Sequence, residues 1–293
     1  MFVLAHLSDI HLAPLPAPRL AELISKRGLG FLNWLRKRRA IHRAEILAEV
    51  VADLGARQPG HVAVTGDLIN LSLSNEFAPA RAWLERLGPP GRVTFVPGNH
   101  DAYVRATAGH ALREWSDYTR GDGGETFPFV RRRGPLVLVG LSSSLPTLPL
   151  AATGHLGGDQ LARLGEVLAA LAREGLFRVV LVHHPPTAGV NYFRRLVDAP
   201  ALREVLRKHG ADLVLHGHLH ASSLVWLSGP RHGIPCVGAP SASGSPDHDD
   251  DPGGYNLFEI DGAPGAWRCT AISRGIGRDD GTIGEVSRQL LTD

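Results

Sequence analysis

Cysteine occurs only twice in these 293 residues, as Cys236 and Cys269. Two thiols are too few for a disulfide framework or a thiolate-built metal site, and they suit a reducing compartment. No apolar run approaches the length of a membrane span. A basic segment leading into a long apolar stretch is also missing at the start, where the chain reads directly into a strand, so the expected location is cytoplasmic. Charge of one sign is not in excess either: a formal net charge of +2 is too small to announce a nucleic-acid partner. There is no internal repeat and no low-complexity linker. What remains is a soluble-type composition, 43% hydrophobic and 20% charged, long enough to bury a full core. Histidine is the unusual abundance, with 15 copies.

Short β-rich apolar runs recur, each followed by a turn and then a helical pattern. They are FVLAHLSDIHL (2–12), HVAVTGDLIN (61–70), RVTFVPGNHD (92–101), LVLVGLSSS (136–144), FRVVLVHHPP (177–186), ADLVLHGHLH (211–220) and IPCVGAPSAS (234–243). Amphipathic helices are expected over 41–57, 75–87, 107–118, 158–173 and 194–208. This alternation predicts an α/β sandwich with largely parallel pairing. Near the end, strands follow one another without helices, which predicts antiparallel C-terminal strands over 221–275. SPDHDDDPGG (245–254) reads as an acidic surface loop. One domain over 1–293 is expected.

The informative residues stand where strands stop. They are Asp9 and His11, Asp67, the run Asn99–His100–Asp101, the pair His183–His184, and His218 with His220. Asp9 and His11 share a face because strand side chains repeat every two residues. An isolated Asp-x-His is more often a plain hydrogen-bonded pair than a metal clamp. Five strand ends carrying only Asp, Asn and His reverse that judgement, since ligands in α/β folds bind beyond the carboxyl ends of the strands. Imidazole and carboxylate without thiolate suit Mn, Fe, Zn, Co or Ni. The donors are too many for one ion. They suit two ions about 3.5–4 Å apart bridged by a carboxylate, the arrangement used for in-line displacement at phosphorus.

Taken in order, Asp-x-His, Gly-Asp, Gly-Asn-His-Asp, a strand-end His and Gly-His-x-His resemble the calcineurin-like binuclear metallophosphoesterases, from about residue 3 to about 260. HLSDIHL, HHPP and a late Gly-Tyr-Asn-Leu are most similar to the cyclic-nucleotide and glycerophosphodiester phosphodiesterase branch. The resemblance implies a four-layer sandwich of two mixed β-sheets flanked by helices. It also implies one ion held by Asp9, His11, Asp67 and His220, and a second held by Asp67, Asn99, His183 and His218. His100 would contact the phosphate and protonate the leaving oxygen. His184 would then lie towards substrate or support a ligand, and His216 would be a structural or supporting residue. The implied reaction is attack of a hydroxide bridging the ions on a phosphate diester. A monoesterase, a nuclease and a hydrolase of nucleotide-linked lipid precursors stay open, and a non-catalytic scaffold is disfavoured by the complete ligand set.

One residue departs from the phosphoprotein-phosphatase pattern. The position three after the bridging aspartate is Asn70 rather than Asp, so His100 lacks a carboxylate there unless Asp101 supplies it. Separately, residues 13–45 form an expected helical insertion whose stretch 19–43 carries eight Lys/Arg among Leu, Ile, Phe and Trp. A solvated basic face and a peripheral contact with a membrane are both consistent with that pattern. TAGVNYFRR (187–195) offers Asn191, Tyr192, Arg194 and Arg195 beside the site. The expected partner is a phosphate-ester small molecule, with nucleic acid and homo-oligomerisation left open.

Overall fold

The computed structural model describes residues 1–291. The chain runs β1 (Phe2–Leu7), α1 (Lys26–Asn33), α2 (Arg39–Ile41), α3 (Ala44–Ala56), β2 (His61–Val64), α4 (Phe77–Leu87) and β3 (Val93–Phe95). It continues through α5 (His110–Glu114), α6 (Ser116–Thr119), β4 (Phe129–Arg133), β5 (Leu136–Gly140), α7 (Gly158–Leu171), β6 (Phe177–Leu181), α8 (Ala199–His209) and β7 (Leu213–His216). Five strands follow: β8 (Ser223–Leu227), β9 (Ile234–Gly238), β10 (Gly254–Ala263), β11 (Ala266–Ile276) and β12 (Ile283–Leu290). Two six-stranded mixed sheets result, ordered β12-β11-β10-β1-β2-β3 and β4-β5-β6-β7-β9-β8.

Strand parity explains the layering. On β5, Val137 and Val139 face α7 and α8, whereas Leu136 and Leu138 face the other sheet. Leu4 and Phe258 of the first sheet meet Leu181, Leu213 and Leu215 of the second in a central apolar layer. Ala5 and Leu7 point the opposite way, onto Val50 of α3 and Leu84 of α4. Three apolar layers therefore separate four structural ones, as a sandwich of two sheets flanked by helices requires.

Several local expectations are redrawn. The helix expected over 107–118 breaks at Trp115 into α5 and α6. The one expected from 194 begins at Ala199, with Pro200 at its first turn. The C-terminal strands divide between the sheets. β8 and β9 pair antiparallel at one edge but β9 lies parallel to β7, while β10, β11 and β12 extend the first sheet. Strands β4 and β12 escaped the sequence reading because they are edge strands rich in Arg, Glu and Gln, with little apolar alternation.

The insertion is a short 3-10 turn (Leu20–Leu23) followed by α1, capped by Ser25, whose hydroxyl accepts the Arg27 N–H. Helix α1 runs on through a π-helical turn (Trp34–Arg38) into α2. Its buried or half-buried stripe is Arg27, Phe31, Trp34, Arg38 and His42, spaced three or four apart as one helical face demands. Trp34 packs with Leu15, Leu71 and Leu73 in a small cluster separate from the main core.

Candidate metal centre

Strands β1, β2 and β3 of one sheet and β6 and β7 of the other deliver their following residues to a common seam. The turns after β1, β2 and β7 are left-handed. The angle φ is 52° at Asp9, 43° at His11, 56° at Asp67, 73° at His218 and 55° at His220. Non-glycine residues rarely adopt this region, and each costs on the order of 1 kcal/mol or more, which the surrounding packing must sustain. The packing is close enough that a Cβ at Gly217 would strike the Ser8 hydroxyl and the Asp9 carboxylate, and one at Gly98 would strike Asp67.

Two constellations form on either side of Asp67. In one, His220 Nε2 lies 3.2 Å from Asp9 Oδ1 and 3.3 Å from His11 Nε2. In the other, His183 Nε2 lies 3.1 Å from Asn99 Oδ1 and 3.3 Å from His218 Nδ1. Asp67 Oδ2 stands between them, 3.8 Å from His11 Nε2 and 3.4 Å from His183 Nε2. The other Asp67 oxygen accepts the His100 backbone N–H at 2.7 Å.

These distances fit metal coordination. Ligands about 2.0–2.1 Å from one ion at tetrahedral angles are about 3.3 Å from each other. Asp9 Oδ1 is buried, faces His220 Nε2 at 3.2 Å and has no well-aligned hydrogen-bond donor among the described residues. The His183 Nδ1–H donates to the Thr65 carbonyl at 2.6 Å, which aims Nε2 into the cluster. Burial holds His11 and His218 well below the usual histidine range, with Arg38 adding to the effect at His11 and neighbouring imidazoles at His218, so both rings stay in the neutral, ligating form. His183 goes the other way. Burial opposes its charge, but the Asp67 and Asp9 carboxylates outweigh it and raise the ring to about 9, marking a place where positive charge is wanted.

The remaining candidates have assignable places. His100 donates its Nδ1–H to the Asn70 backbone carbonyl, leaving Nε2 toward the cleft. The Asn70 side chain does not reach His100: its amide donates to the Leu12 carbonyl at 2.9 Å. Asp101 does not serve His100 either. It is buried and accepts backbone N–H groups from Asp67, Leu68 and Gly98 at 2.8 to 3.0 Å, bracing the two loops against each other. His184 is buried with Nδ1 2.8 Å from the Ser143 hydroxyl, and it can join His183 and His218 in one donor group. His216 lies apart from these donor groups, its Nδ1 3.0 Å from the Gly217 carbonyl.

Two residues of the site were missed in the sequence. Arg38 places its guanidinium 2.9 Å from His11 Nε2 and 2.8 Å from His100 Nε2. His42 sets Nδ1 3.0 Å from the Ser243 hydroxyl and belongs to a donor group with His11 and His220. The signal was present in the helical spacing of residues 27, 31, 34, 38 and 42, which puts Arg38 and His42 on the inward face. The cleft is small, about 260 Å³, lined by Arg38, His42, Asp67, His100, Arg194 and Asp250 among others.

The fold and this paired constellation define a class of proteins that cleave phosphate esters with two metal ions. The family model for calcineurin-like phosphoesterases matches residues 2–222, and the chain belongs to that family. Its members hold two divalent ions, and the chain is a metal-dependent phosphoric ester hydrolase. A Synechococcus sp. protein named "Probable cyclic nucleotide phosphodiesterase" is 28% identical over 225 residues, 75% of this chain and 79% of its own. A Rhodococcus erythropolis protein of the same name is 29% identical over 239 residues, covering 78% of this chain and 70% of its own. Among solved structures, a dimetal phosphatase from Danio rerio aligns over 99% of this chain and 98% of its own, at TM-score 0.63 and 15% identity. A purple acid phosphatase from yellow lupin aligns over 97% of this chain and 52% of its own, at TM-score 0.58 and 12% identity. These two likenesses concern the fold.

Proposed function

We propose that the chain is a phosphodiesterase whose two transition-metal ions share Asp67. Asp9, His11, Asp67 and His220 would hold one ion, and Asp67, Asn99, His183 and His218 the other. The supporting observation is Asp67 Oδ2, set between His11 Nε2 and His183 Nε2 at 3.8 and 3.4 Å. Nitrogen and carboxylate donors without thiolate favour Mn, Fe or Zn. When bound, such ions supply Lewis acidity toward phosphoryl oxygens and ionise water near neutral pH.

The chain's own residues supply orientation and protons. With Nδ1–H committed to the Asn70 carbonyl, Nε2 is the His100 atom that faces a leaving oxygen. Burial first, and then the Arg38 guanidinium, push His100 down to about 3, so an incoming phosphate that pairs with Arg38 offsets the part of that suppression owed to Arg38. Arg194, which donates to the His218 carbonyl at 2.7 Å, lines the same cleft. A diester presents one charge to this pair and a second substituent to the loops. The phosphodiesterase names of the two relatives point the same way.

The test is metal content and a panel of mono- and diesters, cyclic nucleotides included, with manganese, iron or zinc added. Two ions per chain and a higher kcat/KM on a bis-ester than on its monoester are expected. Asp67→Asn should remove both ions or most of the activity, whereas Asp9→Ala should empty chiefly one site. A single ion unaffected by Asp67→Asn would overturn the shared bridge.

A further inference from the structure

Fifteen large hydrophobic side chains are exposed among the described residues, and ten of them lie on three segments around the cleft mouth. Leu20 and Ile24, at 85% and 87% exposure, stand before α1, and Leu29 projects from that helix. Leu148 and Leu150, the latter 93% exposed, occupy the loop before α7, and Phe193 occupies the loop before α8. The segments are physically continuous. Lys26 donates to the Thr147 hydroxyl at 3.0 Å, and the Ala152 N–H donates to the Phe193 carbonyl at 2.8 Å. Asn33, Ala152 and Arg194, one from each segment, line the same cleft. A soluble surface seldom gathers apolar side chains on one rim unless something covers them.

Charge identifies what covers this one. Residues 19–43 hold eight Lys/Arg against Glu22 alone, 143–152 hold no charge, and 187–197 hold Arg194 and Arg195 without an acid. Arg36, Lys37 and Arg39 are exposed on the same helical element as Leu29. The acidic loop 245–251 adjoins the far end of this element, with Asp247 Oδ2 3.8 Å from Arg43 Nη1, and continues to Asp250, whose Oδ2 is 3.9 Å from His220 Nδ1. A helix with aliphatic and basic side chains outward and its packed stripe inward is built to lie in the interface of an anionic bilayer. Five of the eight, Arg19, Arg36, Lys37, Arg39 and Arg43, are exposed, so a second copy of the chain would bring like charge against like.

We propose that the rim formed by residues 20–39, 148–150 and 192–197 docks on an anionic lipid surface, seating the cleft at the headgroup level. The phosphoester then reaches the cleft from the bilayer plane, with a hydrocarbon tail left in the lipid. Docking does not depend on the hydrolytic reading, so each can fail alone.

The experiment is co-sedimentation of the full chain with vesicles of phosphatidylcholine containing one quarter phosphatidylglycerol, against vesicles of phosphatidylcholine alone. Binding to the anionic vesicles, weakened by salt, is expected. Ile24→Glu with Leu150→Glu should lower the partition by about tenfold or more, from the loss of two buried aliphatic side chains. Arg36→Glu with Lys37→Glu should lower it through charge. Hydrolysis of a water-soluble nitrophenyl ester should be unchanged in both pairs, which also shows that they fold. Absence of vesicle binding, binding indifferent to phosphatidylglycerol, or a solution dimer dissolved by Ile24→Glu with Leu150→Glu would overturn the proposal. Lost hydrolysis with intact vesicle binding would instead strike the phosphodiesterase reading.

Discussion

At the scale of single residues, the His100 ring is tied to the main-chain carbonyl of Asn70 rather than to its side chain. His100 sits between an Asp67 oxygen at its backbone N–H and the Asn70 carbonyl at its Nδ1. His100→Ala should therefore keep its metal and lose on the order of a hundredfold in rate, the usual worth of acid–base help. The loss should shrink on nitrophenyl esters, whose leaving groups need no proton; equal losses on poor and good leaving groups would assign His100 to phosphate positioning alone. Asn70→Asp is expected to leave the diester-to-monoester ratio unchanged, since the side chain faces the Leu12 carbonyl. It should lower Tm by a few degrees, because a buried acceptor then meets an acceptor at a cost of about 1–3 kcal/mol. A ratio that moves with Asn70→Asp would restore the side chain to the reaction. The identity of Asn70 was readable from the sequence; which of its atoms reaches His100 was not, because that depends on the turn geometry after β2.

At the scale of elements, the insertion helix is the site's detachable part. Trp34, Leu15, Leu71 and Leu73 hold it through a small cluster of their own, and Arg38 and His42 reach the cleft one and two turns beyond Trp34. Trp34→Ala should raise amide exchange across residues 26–42 sharply, with a smaller change in the two sheets. Hydrogen exchange read by mass spectrometry decides this; uniform deprotection across both sheets would show that the insertion belongs to the global cooperative unit. The same contrast explains what was legible. Asp9, Asp67, Asn99, His183 and His220 follow apolar strands whose alternation and length announce them. Arg38 and His42 sit on a helix whose basic composition suggested a solvated face, and only its three-and-four spacing shows which side turns inward. Edge strands β4 and β12 were hidden for a related reason, since one exposed face of charged residues blurs the alternation that marks a strand.

At the scale of the whole molecule, the outer helix α3 is fastened to the first sheet by Asp53. Its carboxylate takes Arg274 at 2.7 and 2.9 Å and the Tyr255 hydroxyl. Burial alone would raise the carboxyl, but the hydrogen bonds from Arg274 and Tyr255 prevail and hold it down to about 2. A depressed folded value stabilises above the unfolded one, near 4, and the gain disappears as pH falls toward 2. Asp53→Asn should thus cost on the order of 2 kcal/mol at pH 7 and almost nothing relative to wild type near pH 2, read as Tm against pH. A constant difference across that range would show that packing, not the ion pair, carries the effect. The seam between the two sheets has a further consequence, in the order of events as the chain is made. The donors gathered there begin at Asp9 and end at His220, and neither sheet brings a whole constellation by itself. A nascent chain that has released only its first three strands carries Asp9, His11 and Asp67 without the His183, His218 and His220 that stand opposite them. The full set of proposed ligands is therefore present only once the residues just after β7 have left the ribosome.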